Sequence, residues 1–387
     1  MKKIALMSLA VSSVLFASGY KIPETSTNSV ALSGANIAHT KSADAAYDNP
    51  ANMIFMSDSN HIEADLMYIG TSATKFEGTV DGTGPYDLSA EEQTFLIPSI
   101  HYVSPKLGEA NARVGLSIVV PGGLTREWKE EPAKTSAEEF TLQIVEINPT
   151  AAFEVTKEVA FAVGFRIVHT SGVVKSSGTV PVTAVGGLPT TITRDMEGDS
   201  LDFGYNLALA YQPTSNLEIG LTYRSKVDLS TQGDASLSST AVVHPNPAVG
   251  TLIPAGLYSG GAAVSVPLPA TFSAAIAYTL PTNTTVEFVY EKAYWSAYEN
   301  LDFSYDTTLT HPILNSAFDK SIAKNWKDTE SYRFGITQEL DSLTLMAGAV
   351  IDNTPTPESS LNFESPGSDS LSVSLGGRYE ISKTIDV

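Results

Sequence analysis

The sequence predicts an all-β chain, a transmembrane antiparallel β-barrel whose N-terminal segment plugs the lumen. Three observations predict it. Apolar and polar residues alternate with period two in strand after strand. The connections between these strands alternate between short and long. Beyond the first 19 residues no apolar run is long enough to cross a membrane as a helix, so a membrane-embedded form has to be a closed sheet.

The first element is a signal peptide over 1–19, MKKIALMSLAVSSVLFASG. Lys2 and Lys3 supply the positive start, 4–16 the short apolar stretch, and Ala17-Ser18-Gly19 the small residues for cleavage. The expected location is the outer membrane of a Gram-negative bacterium. The chain has 387 residues, which large barrels reach as a single domain. A net charge of −20 excludes wrapping nucleic acid. There are 0 cysteines, so disulfides cannot stabilise this exported chain, whereas a closed barrel can. Only 17% of residues are charged, which suits a membrane barrel better than an acidic soluble enzyme.

Residues 20–58 hold Ser, Thr, Asn and Ala without sustained alternation, so they read as a plug and not as wall. Tyr47-Asp48-Asn49-Pro50 reads as a turn with a fixed φ. The barrel is expected over 59–387. Strands are expected near 60–72, 94–104, 110–120, 138–154, 158–170, 199–211, 216–230, 266–279, 284–291, 329–340, 342–350 and 370–380, with one more beginning at 383. In 110–120, Val114, Leu116 and Ile118 share a face opposite Arg113, Gly115 and Ser117. In 199–211, Leu201, Phe203, Tyr205 and Leu207 oppose Asp202, Gly204 and Asn206. In 217–227, Ile219, Leu221, Tyr223 and Val227 oppose Glu218, Gly220, Arg224 and Lys226.

Short turns near 105–109, 155–157, 212–215, 280–283, 340–342 and 381–382 define one rim. Long connections near 73–93, 121–137, 171–198, 231–265, 292–328 and 351–369 define the other. In outer-membrane barrels the long connections face outside the cell. Tyr102, Phe153, Tyr211, Tyr278 and Tyr379 near the short-turn rim, and Tyr68, Tyr223 and Tyr290 toward the other, form candidate interfacial girdles. In 138–154 the outward parity flips between Ile144 and Ile147, which predicts a β-bulge near Val145–Glu146. Because a barrel of this kind closes with an even number of strands, the final stub leads us to expect a C-terminally truncated barrel.

The start SGYKIPETSTNSVALSGANIAHTKSADAAYDNPANM resembles the FadL-type transporters of hydrophobic compounds. Further matches follow in order: IPSIHYVSP at 97–105, VPGG at 120–123, INPTAAFEV at 147–155 and LALAYQPTSNLEIGLTYRSKV at 207–227. LPATFSAAIAYTL at 268–280, WKDTESYRFGITQEL at 326–340, DNTPTP at 352–357 and LSVSLGGRYEIS at 371–382 complete them. The resemblance covers nearly the whole chain after the signal peptide, and its weight lies in the order of the segments. It implies a 14-stranded barrel with a hatch ending in Asn49-Pro50-Ala51. It implies passive transport, with long-chain fatty acids foremost and aromatic hydrocarbons as an alternative. It also implies lateral release into the membrane at a kink in the third strand, here Pro121-Gly122-Gly123. A plain strand end entering a loop is the competing reading of those residues.

Parity puts Arg113, Arg166, Arg224, Lys226, Arg333 and Arg378 in the lumen, where a charge escapes the roughly 2–4 kcal/mol cost of the lipid face. Each is a candidate for a ligand carboxylate or for a lumen ion-pair network with Glu63, Asp65, Asp202, Glu218 and Glu287. The connection at 241–265 is apolar for an external loop. Val242, Val243, Leu252, Ile253, Leu257 and Tyr258 could form a capture groove, or pack over the barrel mouth. No phosphate-binding glycine loop or metal-binding motif is present in the sequence, so no cofactor and no metal are expected, and no enzyme signature stands out. His101 reads as a lumen polar residue. The expected partners are a hydrophobic small molecule and outer-membrane lipid, with the chain a monomer. The rival readings are an outer-membrane hydrolase and an adhesive barrel with a closed plug.

Overall fold

The computed structural model describes residues 19–80, 82–108, 111–382 and 384–387. The expected signal peptide lies outside them except for Gly19, and so do the expected starts of the third strand at 110 and the last at 383. The wall is one antiparallel sheet of 16 strands. Its first strands are β1 (His61–Thr71), β2 (Gln93–Val103), β3 (Ala112–Glu127), β4 (Glu139–Glu154), β5 (Val159–Val182) and β6 (Leu188–Thr214). Then come β7 (Leu217–Arg224), β8 (Val227–Ser239), β9 (Gly256–Leu268), β10 (Thr271–Thr279) and β11 (Thr284–Ala293). β12 (Thr329–Glu339), β13 (Leu343–Asp352), β14 (Ser370–Ser382) and β15 (Ile385–Asp386) follow, and Phe303–Tyr305 pairs on β9. Most neighbours in sequence pair in space, but β7 pairs with β10, past the β8–β9 hairpin, and β8 pairs with the upper part of β6. Among the described residues the sheet is unclosed, with β1 and β15 at its ends.

Every expected strand has a counterpart, but 216–230 is broken at 225–226 and 266–279 at 269–270, and several strands run further than expected. β3 continues through Pro121 to Glu127. β5 and β6 extend as a hairpin to a turn at Thr183–Val185, and β8 and β9 extend likewise. The connection near 73–93 holds a hairpin of its own, Lys75–Val80 with Thr83–Ser89. The physical reason is a change of outer solvent. Beyond the lipid band the outward residues of β6 are Thr191, Thr193, Asp195 and Glu197, so the apolar-out pattern ends while pairing continues. Lower down, Phe153, Tyr211, Tyr278 and Tyr379 point outward, as girdle residues do.

The expected bulge in the strand over 138–154 is absent. The extra residue is in β3, where pairing with β4 shifts between Val119 and Gly122. β4 keeps its even residues inward throughout, Leu142 and Ile144 as well as Glu146 and Asn148. Apolar side chains occur on both parities there because the lumen itself turns apolar above Glu146. A second break separates β7 from β8 at residues 225–226. Glu218 and Gly220 point inward on one side of it, Val227 and Leu229 on the other.

Residues 20–58 fold inside the sheet as α1 (Thr27–Ala31), α2 (Ala45–Asp48) and a 3-10 turn over Pro50–Phe55. Ser26 caps α1 by accepting from Ser29 N, and Asn49 caps the 3-10 turn, with Pro50 at its first position. Small residues let the segment approach the wall closely. Ala43, Ala45, Ala46 and Ala51 pack on Ala152, Ala162, Ala208 and Ala210. On the opposite side Ala31, Leu32 and Ala35 pack on Ala275, Ala277 and Met346. Glycine is required at 348, because a Cβ there would lie 2.1 Å from the Leu32 backbone.

Candidate functional site

The plug fills the end of the lumen near the short-turn rim. Above it the inward residues become Leu124 on β3, Leu142 on β4, Val174 on β5, Met196 on β6 and Val266 on β9, a continuous apolar cluster. They line an open apolar cavity, bounded further by Phe140, Tyr298 and Phe303. Tyr20, just past the expected cleavage region, lines it too. Its ring packs edge-on against Trp295 at 4.8 Å and lies 5.8 Å from Trp326, and its hydroxyl donates to Pro267 O at 2.5 Å. This aromatic cluster joins the N-terminus to the long connections above.

The polar end of the cavity is made by residues outside the sequence-derived set. Glu364 lines it and pairs with the fully buried Lys324 at 2.5 Å. Arg194, one turn of the β6 alternation above Met196, stacks on Phe303 at 4.7 Å and on Phe318 at 5.5 Å. It is buried, it makes no ion pair among the described residues, and its Nε has no hydrogen-bond partner there. Glu364 lies within its electrostatic reach. Burial pushes the Tyr305 hydroxyl up to about 12 and the Tyr298 hydroxyl well above its ordinary value, with the Glu364 charge adding to the second, so both remain protonated.

The wall beside the cavity is incompletely paired. β1 pairs β2 along its whole length, whereas β2 pairs β3 only over residues 100–103 against 115–118. Above that, 93–99 and the bulged part of β3 have no ladder between them, and the next backbone bond is Glu91 N to Glu127 O at 2.9 Å. Residues 20–22 lie against this stretch from inside. Ile22 N donates to Pro121 O at 2.9 Å and Gly123 N to Tyr20 O at 2.8 Å, with Lys21 bridging Gly122. Pro121, Gly122 and Gly123 therefore form a bulge within a continuing strand, not its end.

The structure gathers five of the six sequence-derived cations around the plug and none at the cavity. Arg113 donates to Met56 O and Ser57 O, both at 2.8 Å. Arg166 forks onto Glu146 at 2.8 Å, and Arg224 pairs with the same carboxylate while lying 3.9 Å over the Tyr47 ring. Arg333 donates to Ser33 O at 2.8 Å and faces Glu24 and Glu291. Arg378 donates to Ser42 Oγ at 2.5 Å and faces Asp386. Lys226 is a correction: it points outward, exposed, to Asp228 at 2.9 Å, because the break at 225–226 inverts the parity that had put it in the lumen.

Asn49 is buried and donates to Ile37 O at 2.9 Å, holding the plug's own turn beside Pro50 and Ala51. The apolar connection divides in two. Val242 is buried with Ile192, Leu237 and Phe318, and Ile253 and Tyr258 pack on the same cluster. Val243, Leu252 and Leu257 stay exposed, Leu257 at 79%. His101 contacts Ser117 Oγ at 3.0 Å and Thr25 O at 3.2 Å, so it has no carboxylate behind it and forms no hydrolytic triad. Arg194 was missed because the strand was expected to begin at 199. Continuing the even-inward parity of Asn206 and Asp202 upward leads straight to it.

A family model described as "Outer membrane protein transport protein (OMPP1/FadL/TodX)" matches residues 8–387. The chain is 24% identical over 418 residues to the "Long-chain fatty acid transport protein" of Escherichia coli O6:H1, covering 99% of this chain and 89% of that protein. It is 22% identical over 432 residues to "Outer membrane protein P1" of Haemophilus influenzae, covering 100% and 89%. Among solved structures it is similar to a Pseudomonas aeruginosa FadL homologue, with TM-score 0.74, 19% identity and coverage of 95% and 88%. The P. putida toluene transporter TodX gives TM-score 0.68, 19% identity and coverage of 95% and 90%.

Proposed function

This chain belongs to the outer membrane protein transport family (OMPP1/FadL/TodX), whose members are outer-membrane channels for hydrophobic compounds and not enzymes, and from that premise we propose that its cargo is a long-chain fatty acid. The observation that carries this reading is the apolar cavity with Arg194 beside it. Arg194 donates to Ser136 O at 3.4 Å, but its buried Nε has no partner and it makes no direct ion pair among the described residues, so a ligand carboxylate could pair with it while the acyl chain fills the apolar space.

In this reading the exposed side chains Val243, Leu252 and Leu257 collect the amphiphile, which slides into the cavity. Residues 20–58 act as a hatch, and binding displaces 20–22 from β3. The ligand then leaves sideways between the unpaired edges of β2 and β3, into outer-membrane lipid. No step needs an energy source, since each moves an apolar chain between apolar surroundings.

Palmitate and methyl palmitate binding to the detergent-solubilised protein tests this. Arg194→Met is expected to weaken palmitate binding by about tenfold or more and leave the ester within about twofold. Equal loss of both, or of neither, would count against Arg194 as the carboxylate's partner. A second reading, an aromatic hydrocarbon as cargo, is supported by the Tyr20–Trp295–Trp326 cluster at the cavity. Toluene binding stronger than palmitate binding would favour it.

A further inference from the structure

We propose that Glu364 is a tethered competitor for the ligand's carboxylate, an internal acid in the cavity lining that compensates the buried cation behind it, Lys324, until an external acid replaces it. The proposal rests on the transport reading above and adds to it a specificity device. Glu364 belongs to the connection over 353–369, between β13 and β14, and its buried side chain lines the cavity. Lys324 belongs to the connection between β11 and β12, is 0% exposed, and has Glu364 as its ion-pair partner. The two connections are pinned to each other around this pair. Ser360 Oγ donates to Lys324 O at 2.5 Å, and Lys327 N to Pro355 O at 2.9 Å. Next to Glu364, Phe363 O accepts from Trp128 Nε1 at 2.9 Å, and the Phe363 ring lies 5.2 Å from that of Trp128.

Simply breaking this pair would strand a buried ammonium. Exchanging one carboxylate for another does not. A fatty acid whose headgroup reaches Lys324 and Arg194 keeps both cations compensated, while Glu364 swings out to water with its connection. An uncharged hydrophobe cannot make that exchange. It can fill the apolar part of the cavity but leaves 353–369 in place. The ligand's charge thus decides whether the roof loosens, and a ligand that loosens the roof must gain what Glu364 gives up.

Two measurements on the full chain in detergent test this, with palmitate and methyl palmitate as probes. Glu364→Gln keeps the shape and removes the competing charge. It is expected to tighten palmitate binding by about tenfold and leave the ester within about twofold. Hydrogen exchange over 353–369 is expected to rise with palmitate in the wild type, to stay level with the ester, and to be high without ligand in the variant. The double variant Lys324→Met/Glu364→Gln, which removes both charges, is expected to bind palmitate more weakly than Glu364→Gln does. Unchanged or weaker palmitate binding in Glu364→Gln overturns the proposal, as does equal tightening of acid and ester. A wild-type protein that binds neither probe overturns the transport reading as well. Ester binding with no response to Glu364→Gln overturns this proposal alone.

Discussion

The two halves of the lumen share one wall and differ in what fills them. Near the short-turn rim the inward face is polar and meets the N-terminal segment. Glu287 accepts from the backbone N–H groups of Ile37, Ala38 and His39 at 2.8, 2.6 and 3.1 Å, and Asp65 accepts from Thr27 N at 3.1 Å. Glu146 holds Arg166 and Arg224 together. Toward the other rim the same parity carries Leu142, Val174, Met196 and Val266 around open space. The difference shows that pairing and alternation build the wall without dictating its interior. A plug made of backbone and short polar side chains needs charged acceptors, whereas an apolar ligand needs their absence.

The sharpest way to break this comparison is to remove a charge from the polar half. Glu146 is fully buried, and Glu146→Ala leaves two guanidinium groups without their carboxylate. We expect a loss of about 3–5 kcal/mol, read as a lower unfolding temperature in detergent. By contrast Leu142→Ala in the apolar half should cost about 2–3 kcal/mol, because the neighbouring cavity already limits its packing. If Glu146→Ala cost less than the Leu142 variant, the polar half would not be the ionic clamp described above.

That asymmetry also explains what the sequence could tell. Where the interior is polar, alternation marks strand, face and turn, so β1, β2 and β4 were legible almost to the residue and the lower parts of β3, β5, β6 and β7 with them, along with Arg113, Arg166 and Arg224 as inward cations. Where the interior is apolar, both faces of a strand carry apolar residues. Phe140, Leu142 and Ile144 then read as outward, and a bulge was expected in β4 that belongs to β3. Lys226 was misplaced by the break at 225–226, which shifts the inward parity by one and leaves no mark in composition. Lys324 and Glu364 lie in connections without periodicity and meet across 40 positions, a pairing that only the folded chain brings about.

A smaller effect is expected from filling the apolar half. Gly172 on β5 lines the cavity, and a Cβ there would meet only Thr141 O, at 3.6 Å. Gly172→Leu therefore puts a side chain into empty space without displacing the wall. We expect palmitate affinity to fall by about tenfold, with the unfolding temperature unchanged or slightly raised. An affinity equal to wild type would mean that the ligand sits elsewhere, and the hollow half would lose its meaning as a site.

The smallest expected effect concerns how firmly the polar half grips its plug. Asp48, in α2 of the N-terminal segment, is held well above the usual carboxylate range by burial and then by the neighbouring Asp44 charge. A carboxyl raised in this way favours the protonated form when the plug is docked. Its contribution to docking is full below the ordinary carboxylate range and is lost as pH rises through the raised value. As pH rises through that raised value the docked plug acquires a destabilising charge, which suits a segment that must move. Asp48→Asn keeps an acceptor for Asn36 Nδ2, now at 2.8 Å from Asp48, and removes the titration. Hydrogen-exchange protection over 27–55 should fall with rising pH in the wild type. In the variant it should stay flat and be higher on the high-pH side of that fall by on the order of 1 kcal/mol, while protection of the cavity strands is the same in both. Parallel pH profiles for the two proteins would show that Asp48 does not tune the plug, and the polar half would then be a fixed clamp instead of a releasable one.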